Sequence, residues 1–144
     1  MAVVSLFTPT LFDRNMDSDR PHLGPGLVWL PPAQRWRLME ILRLIVRYHG
    51  VDVIERGIAV TRDVLRATVD MARARGAVPV ILVPQFVPEQ PDEAALRHRV
   101  LDNAGLPVVR VELDGRWRIP EDGHPDAHAA HVIATAVAAR LRER

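Results

Sequence analysis

Residues 121–131, EDGHPDAHAAH, bring three histidines and three acidic side chains into eleven positions, the densest set of groups in the chain able to move a proton or hold a metal. His124, His128 and His131 stand at i, i+4 and i+7, a spacing that aligns three imidazoles on a continuous helix. Structural zinc asks for four such ligands and catalytic zinc for three. His124 precedes Pro125, however, and a residue before proline is driven out of helical geometry. That leaves His128 and His131 on the helix, where two histidines three apart read as a solvated edge. No metal and no cofactor are expected.

Acid–base chemistry needs fewer groups. A histidine in a strand-to-helix loop, with a carboxylate two or three positions earlier, can have one ring nitrogen oriented by that acid while the other acts as a general base. Asp122 and Glu121 both lie within that reach of His124, and spacing leaves both open. The competing reading is a surface histidine beside an acid, Asp126 or Asp122, that caps the following helix.

Composition narrows the chemistry further. The 144 residues are 48% apolar and 26% charged, as expected of one globular domain with a single core. A net charge of +1 leaves no footprint for nucleic acid or an anionic membrane. Cysteine is absent, which removes disulfides, thiolate metal sites and thiol nucleophiles. All 19 basic residues are arginine, so a phosphate-loop lysine, a Schiff base and a Ser-Lys dyad are excluded. Serine occurs only at Ser5 and Ser18. Neither a signal peptide nor a membrane-spanning run is read, so the expected location is the cytoplasm unless a further N-terminal portion changes it.

The elements that must position residues 121–131 alternate. AVVSLF reads as a buried strand of a parallel sheet. Residues 8–34, with five prolines and glycines at 24 and 26, read as a long irregular insertion. Residues 35–50 carry Leu38, Ile41, Leu42 and Ile45 on one helical face and Arg37, Glu40, Arg43 and Arg47 on another. That pattern favours a docking face in a soluble fold over a membrane-surface helix. Residues 61–76 predict a helix capped by Thr61 and ended by Gly76, with Val64, Leu65, Thr68, Met71 and Ala72 as its stripe. AVPVILVPQF is a second buried strand, residues 91–105 a helix from Pro91 to Gly105, and LPVVRVEL a third strand. A last helix opens at Pro125. Strand and helix in alternation predict an α/β fold with a parallel sheet, where sites form beyond the carboxyl ends of strands. The loop after Leu113 is such a place, and it holds the histidines. No strand is followed by a glycine-rich phosphate loop, which ranks a nucleotide-binding reading last.

EDGHPDAHAAHVIATAVAARL resembles the last block of the SGNH, or GDSL-like, hydrolases, in which an Asp precedes a His, often with Pro-Asn, before a helix of small residues. RDVLRATVDMARARGAVPVILVPQF looks like the family's helix and strand before that loop, LDNAGLPVVRVELD resembles the following helix and strand, and RPHLGPGLVWLPP is similar to an insertion in some members. The resemblance implies a three-layer αβα, flavodoxin-like sheet, of which residues 1–144 would form a partial domain with about three strands. It implies a serine ester hydrolase acting on a small ester or an acylated carbohydrate or lipid, with His124 as general base and Asp122, or else Glu121, as its orienting acid. An O-acyltransferase relative and a non-catalytic domain acting in binding or assembly are the alternatives.

The chain contains no Gly-Asp-Ser, the family's nucleophile block. Ser18 and Ser5 are the weak nucleophile candidates, and Thr8, Thr10 and Asn15 the weak oxyanion donors. In the family's strand order AVVSLF would correspond to the third strand, whose neighbour on one side is missing here. An unpaired apolar edge predicts self-association or a partner that covers it.

Overall fold

The computed structural model describes residues 1–8, 12, 21–32, 50–102 and 104–143. Three strands, β1 (Ala2–Leu6), β4 (Val78–Val87) and β5 (Val108–Asp114), form a parallel sheet in the order β1-β4-β5. Between β1 and β4 lie a small antiparallel pair, β2 (His22–Leu23) and β3 (Trp29–Leu30), and the long helix α1 (Val51–Ala74). Helix α2 (Pro91–Arg97) joins β4 to β5, and α3 (Ala127–Arg142) closes the described chain. This is a small α/β fold. Among the described residues, no helix is long and apolar enough to cross a membrane.

Successive side chains of a strand point to opposite faces, and β4 uses both. Ile81 and Val83 pack with Ile58, Leu65 and Val69 of α1 and with Val100 and Leu101 after α2. Leu82 points the other way, into a cluster with Val111 and Leu113 of β5 and Ala129 of α3. The continuous apolar run VPVILV is thus what a central strand covered on both faces requires.

β1 departs from its expected burial. Val4 and Leu6 are 46% and 51% exposed, and burial alternates along the strand. The register pairs Val4 with Val80 and Leu6 with Leu82, which places these side chains on the α3 face of the sheet. Helix α3 packs over β5 and the neighbouring part of β4, and no β1 side chain belongs to that core cluster among the described residues. Among the described residues, β1 pairs on one side only.

Helix α1 begins ten residues before the expected cap. Ile54, Ile58 and Leu65 recur on one face of a continuous helix, with Gly50 at its N-cap. Thr61 is therefore an interior residue, and its hydroxyl donates to the carbonyl of Gly57 (2.7 Å). The expected helix over 91–105 is about two regular turns followed by a π-type turn, His98–Asp102, before Gly105 at φ 63°. Part of the insertion expected to be irregular is the β2–β3 hairpin. Its tip carries Gly26 at φ 71°, and the side chain of Leu30 lies where a Cβ on Gly24 would stand. The helix expected over 35–50 lies outside the described residues apart from Gly50.

Candidate functional site

The chain leaves β5 at Asp114 and reaches α3 at Ala127 through a folded-back loop. The Asp114 carboxylate accepts from the backbone N–H of Arg116 (2.8 Å) and from its guanidinium (2.7 Å), which hold its pKa down to about 2. Beyond this turn, Arg118 and Pro125 form an antiparallel bridge. The N–H of Ile119 donates to the carbonyl of His124 (2.8 Å), and that of Asp126 to the carbonyl of Trp117 (3.0 Å). The loop is a miniature hairpin set on the carboxyl end of the sheet. At its foot, the Asp126 side chain accepts from the N–H of Ala129 (2.8 Å) and caps α3. The capping expectation and the acid–base expectation thus fall on different aspartates.

The tip of this hairpin holds the candidate pair. Glu121 and Gly123 both adopt left-handed backbone, at φ 67° and 76°. The N–H groups of Asp122 and Gly123 turn back onto the carbonyl of Ile119 (3.3 and 3.1 Å). Two left-handed residues flanking Asp122 fold its side chain toward His124, and Asp122 Oδ1 lies 2.5 Å from His124 Nδ1. The carboxylate selects the Nδ1–H tautomer of the neutral ring and leaves Nε2 free to accept a proton. His124 is 75% exposed, so that nitrogen is open to solvent and to a ligand. Glu121, the second-choice orienter, makes no contact with His124 among the described hydrogen bonds and ion pairs.

Two contacts brace the hairpin against the sheet. The guanidinium of Arg118 lies over the ring of Phe86, 3.6 Å from its centroid, and donates from Nη1 to the carbonyl of Gly123 (2.6 Å). Trp117 packs into the α3-side core and meets His128 edge to face, with ring centroids 4.3 Å apart. His128 is thereby committed to an aromatic contact. His131 lies on the exposed side of α3. Among the described residues, no group of three or more His, Cys, Asp or Glu side chains could hold a metal ion.

The remaining candidates do not converge on His124. Ser5 pairs with Ile81, and Ile81 with Val108. From Val108 the strand climbs six residues to Asp114, about 20 Å at the usual strand rise. Ser5 is therefore half-buried near mid-sheet, well below the loop. Thr8 is half-buried two residues past β1 and already has a partner. Thr10, Asn15 and Ser18 lie outside the described residues. Sequence reasoning missed Arg118, Phe86 and Trp117. The signal available was GRWR directly after a strand, two cations around an aromatic where a plain turn would serve.

A second cluster of charge lies over the α2 side. The Glu89 carboxylate accepts from Arg97 Nε and Nη2 (2.9 and 3.2 Å) and from Arg110 Nη2 (3.3 Å). Its pKa is lowered, chiefly by the hydrogen bonds from Arg97. Arg97 also reaches Asp102 (3.7 Å), which pairs with His98 Nδ1 (2.7 Å). No protein-family model, curated protein or solved structure matches the chain.

Proposed function

We propose that the chain carries the base half of an SGNH-like serine ester hydrolase with a flavodoxin-like αβα core. The observation that carries this reading is the 2.5 Å contact from Asp122 to His124 Nδ1 in a loop beyond the carboxyl end of a parallel strand. His124 Nε2 would take the proton of a serine hydroxyl as it attacks the ester carbonyl and return it to the leaving alcohol. Asp122 would hold the tautomer and stabilise the imidazolium. The sheet order β1-β4-β5 supports the reading, since it is the order of the last three strands of the family's domain. Within the chain the nucleophile candidates are Ser5, which the register sets far from His124, and Ser18, which lies outside the described residues.

Hydrolysis of a short-chain p-nitrophenyl ester by the purified chain and by His124→Ala tests the reading. Turnover that falls about a hundredfold or more in the variant supports it. Equal, background turnover in both would overturn an esterase activity of this chain.

A second reading has its own observation. Val4 and Leu6 stand exposed on a strand that, among the described residues, pairs on one side only. An open apolar edge of this kind suits a binding or assembly domain that adds a strand from a partner or a second copy. Light scattering across a dilution series, beside Leu6→Lys, tests it. A concentration-independent monomer in both would overturn self-association.

A further inference from the structure

We infer that Arg118 is the positioning residue of the Asp122–His124 pair, a role that rests on the acid–base reading of that pair. Gly123 is the single residue between the acid and the base, and its carbonyl is the one that Arg118 Nη1 grips at 2.6 Å. The same guanidinium lies over the ring of Phe86, a residue near the end of β4 that packs with the α3-side core. The hairpin tip is thus tied to the rigid central strand through one side chain. Apart from that tie and the Asp122–His124 contact itself, the described hydrogen bonds of residues 120–123 are backbone bonds to Ile119. Asp122 and His124 are both exposed, and an exposed ion pair between unrestrained side chains is weak because ordering both costs entropy. Restricting Gly123 removes much of that cost before the pair forms. Arginine suits the task as lysine does not, because its planar fork can stack on an aromatic ring and donate in its own plane at once.

The consequence is a tautomer preference. Asp122 selects the Nδ1–H form of neutral His124, so the ratio of Nδ1–H to Nε2–H forms reports how well the pair is held. Ring nitrogen shifts of the full chain, followed upward in pH until they stop changing, give that ratio for the neutral ring. His124→Gln identifies the signals. The wild type is expected to be mainly Nδ1–H. Arg118→Ala is expected to lower the ratio about fivefold, the equivalent of one ordinary hydrogen bond. Arg118→Lys, which keeps the charge and a donor but not the planar group over the ring, recovers part of the ratio. Phe86→Leu lowers it by less than Arg118→Ala does and serves as the second route should that variant fold poorly. Equal ratios in the wild type, Arg118→Ala and Phe86→Leu would overturn the role of Arg118 while leaving the pair intact. A wild-type ring already in the Nε2–H form would overturn the pair itself, and with it this inference. Neither result depends on finding a nucleophile, because no substrate is present.

Discussion

Two histidine–aspartate pairs among the described residues have similar length and different circumstance. His98 Nδ1 lies 2.7 Å from Asp102, and His124 Nδ1 lies 2.5 Å from Asp122. The first pair spans a π-type turn that leads from α2 down to the start of β5, the amino end of the strands. The second sits in the loop that leaves the carboxyl end of β5. Asp102 also faces Arg97, which is itself bound to Glu89, so its charge belongs to a structural network. Asp122 has His124 as its ion-pair partner among the described residues. Geometry at the hydrogen bond therefore does not distinguish a catalytic candidate from a surface pair. Position on the sheet and the competition for the carboxylate do.

Two paired substitutions would break this distinction if it is wrong. The largest expected effect is on turnover: His124→Ala lowers ester hydrolysis about a hundredfold or more, while His98→Ala stays within about twofold of wild type. The midpoint of urea unfolding should hardly move for His124→Ala, because an exposed side chain away from the core changes stability by about 0.5 kcal/mol or less. Comparable losses of turnover in the two variants would erase the contrast. The Glu89 cluster should show the opposite profile. Glu89→Ala strips Arg97 and Arg110 of a shared acceptor and should cost about 1–2 kcal/mol in the same urea measurement, with turnover per folded molecule unchanged.

How far such contrasts could be read without coordinates depends on the range of the interaction involved. The strands β4 and β5 announce themselves because a strand covered on both faces must be apolar almost throughout, and Pro91 marks the start of α2, though Gly105 lies well beyond its end at Arg97. The start of α1 does not, since Gly57 and the β-branched residues 51–60 blur the helical period that tertiary packing then enforces. The apolar character of AVVSLF hides whether a neighbour covers it, and β1 proves half exposed. At the candidate site, spacing places two acids within reach of His124. The choice of Asp122 comes from left-handed backbone at Glu121 and Gly123, and for Glu121 no residue preference signals it. The contact of Arg118, in the loop after β5, with Phe86, near the end of β4, joins segments far apart in sequence, and only the GRWR run hints at it.

A smaller effect sharpens the comparison through pH. Hydrogen bonds from Arg97 hold the Glu89 carboxyl below its ordinary value of 4.5, so the folded chain gives up this proton more readily than the unfolded one. The stability that follows is complete above the ordinary value and is lost as pH falls through the lower, folded one. Glu89→Gln should be less stable near neutrality and should lose less on acidification below about pH 4.5. Urea midpoints measured from neutral pH into that range check both halves. A parallel pair of curves for wild type and variant would show that the Arg97 hydrogen bonds contribute no linkage.

The smallest expected effect is the most discriminating for the role of Asp102. His98→Ala removes an exposed i, i+4 pair, and such pairs are worth about 0.3–0.5 kcal/mol. Asp102→Ala removes that pair and also the more distant contact with Arg97. If Asp102 acts as an outlying member of the Glu89 network, its substitution should cost more than that of His98, and the difference should shrink in the Glu89→Ala background, where Glu89 no longer holds Arg97 in place beside Asp102. A double-mutant cycle on urea midpoints measures this coupling. Equal costs for His98→Ala and Asp102→Ala would mean that the carboxylate serves the histidine alone. The two histidine–aspartate pairs would then differ in their place on the sheet and in nothing else, leaving position to carry the whole case for His124.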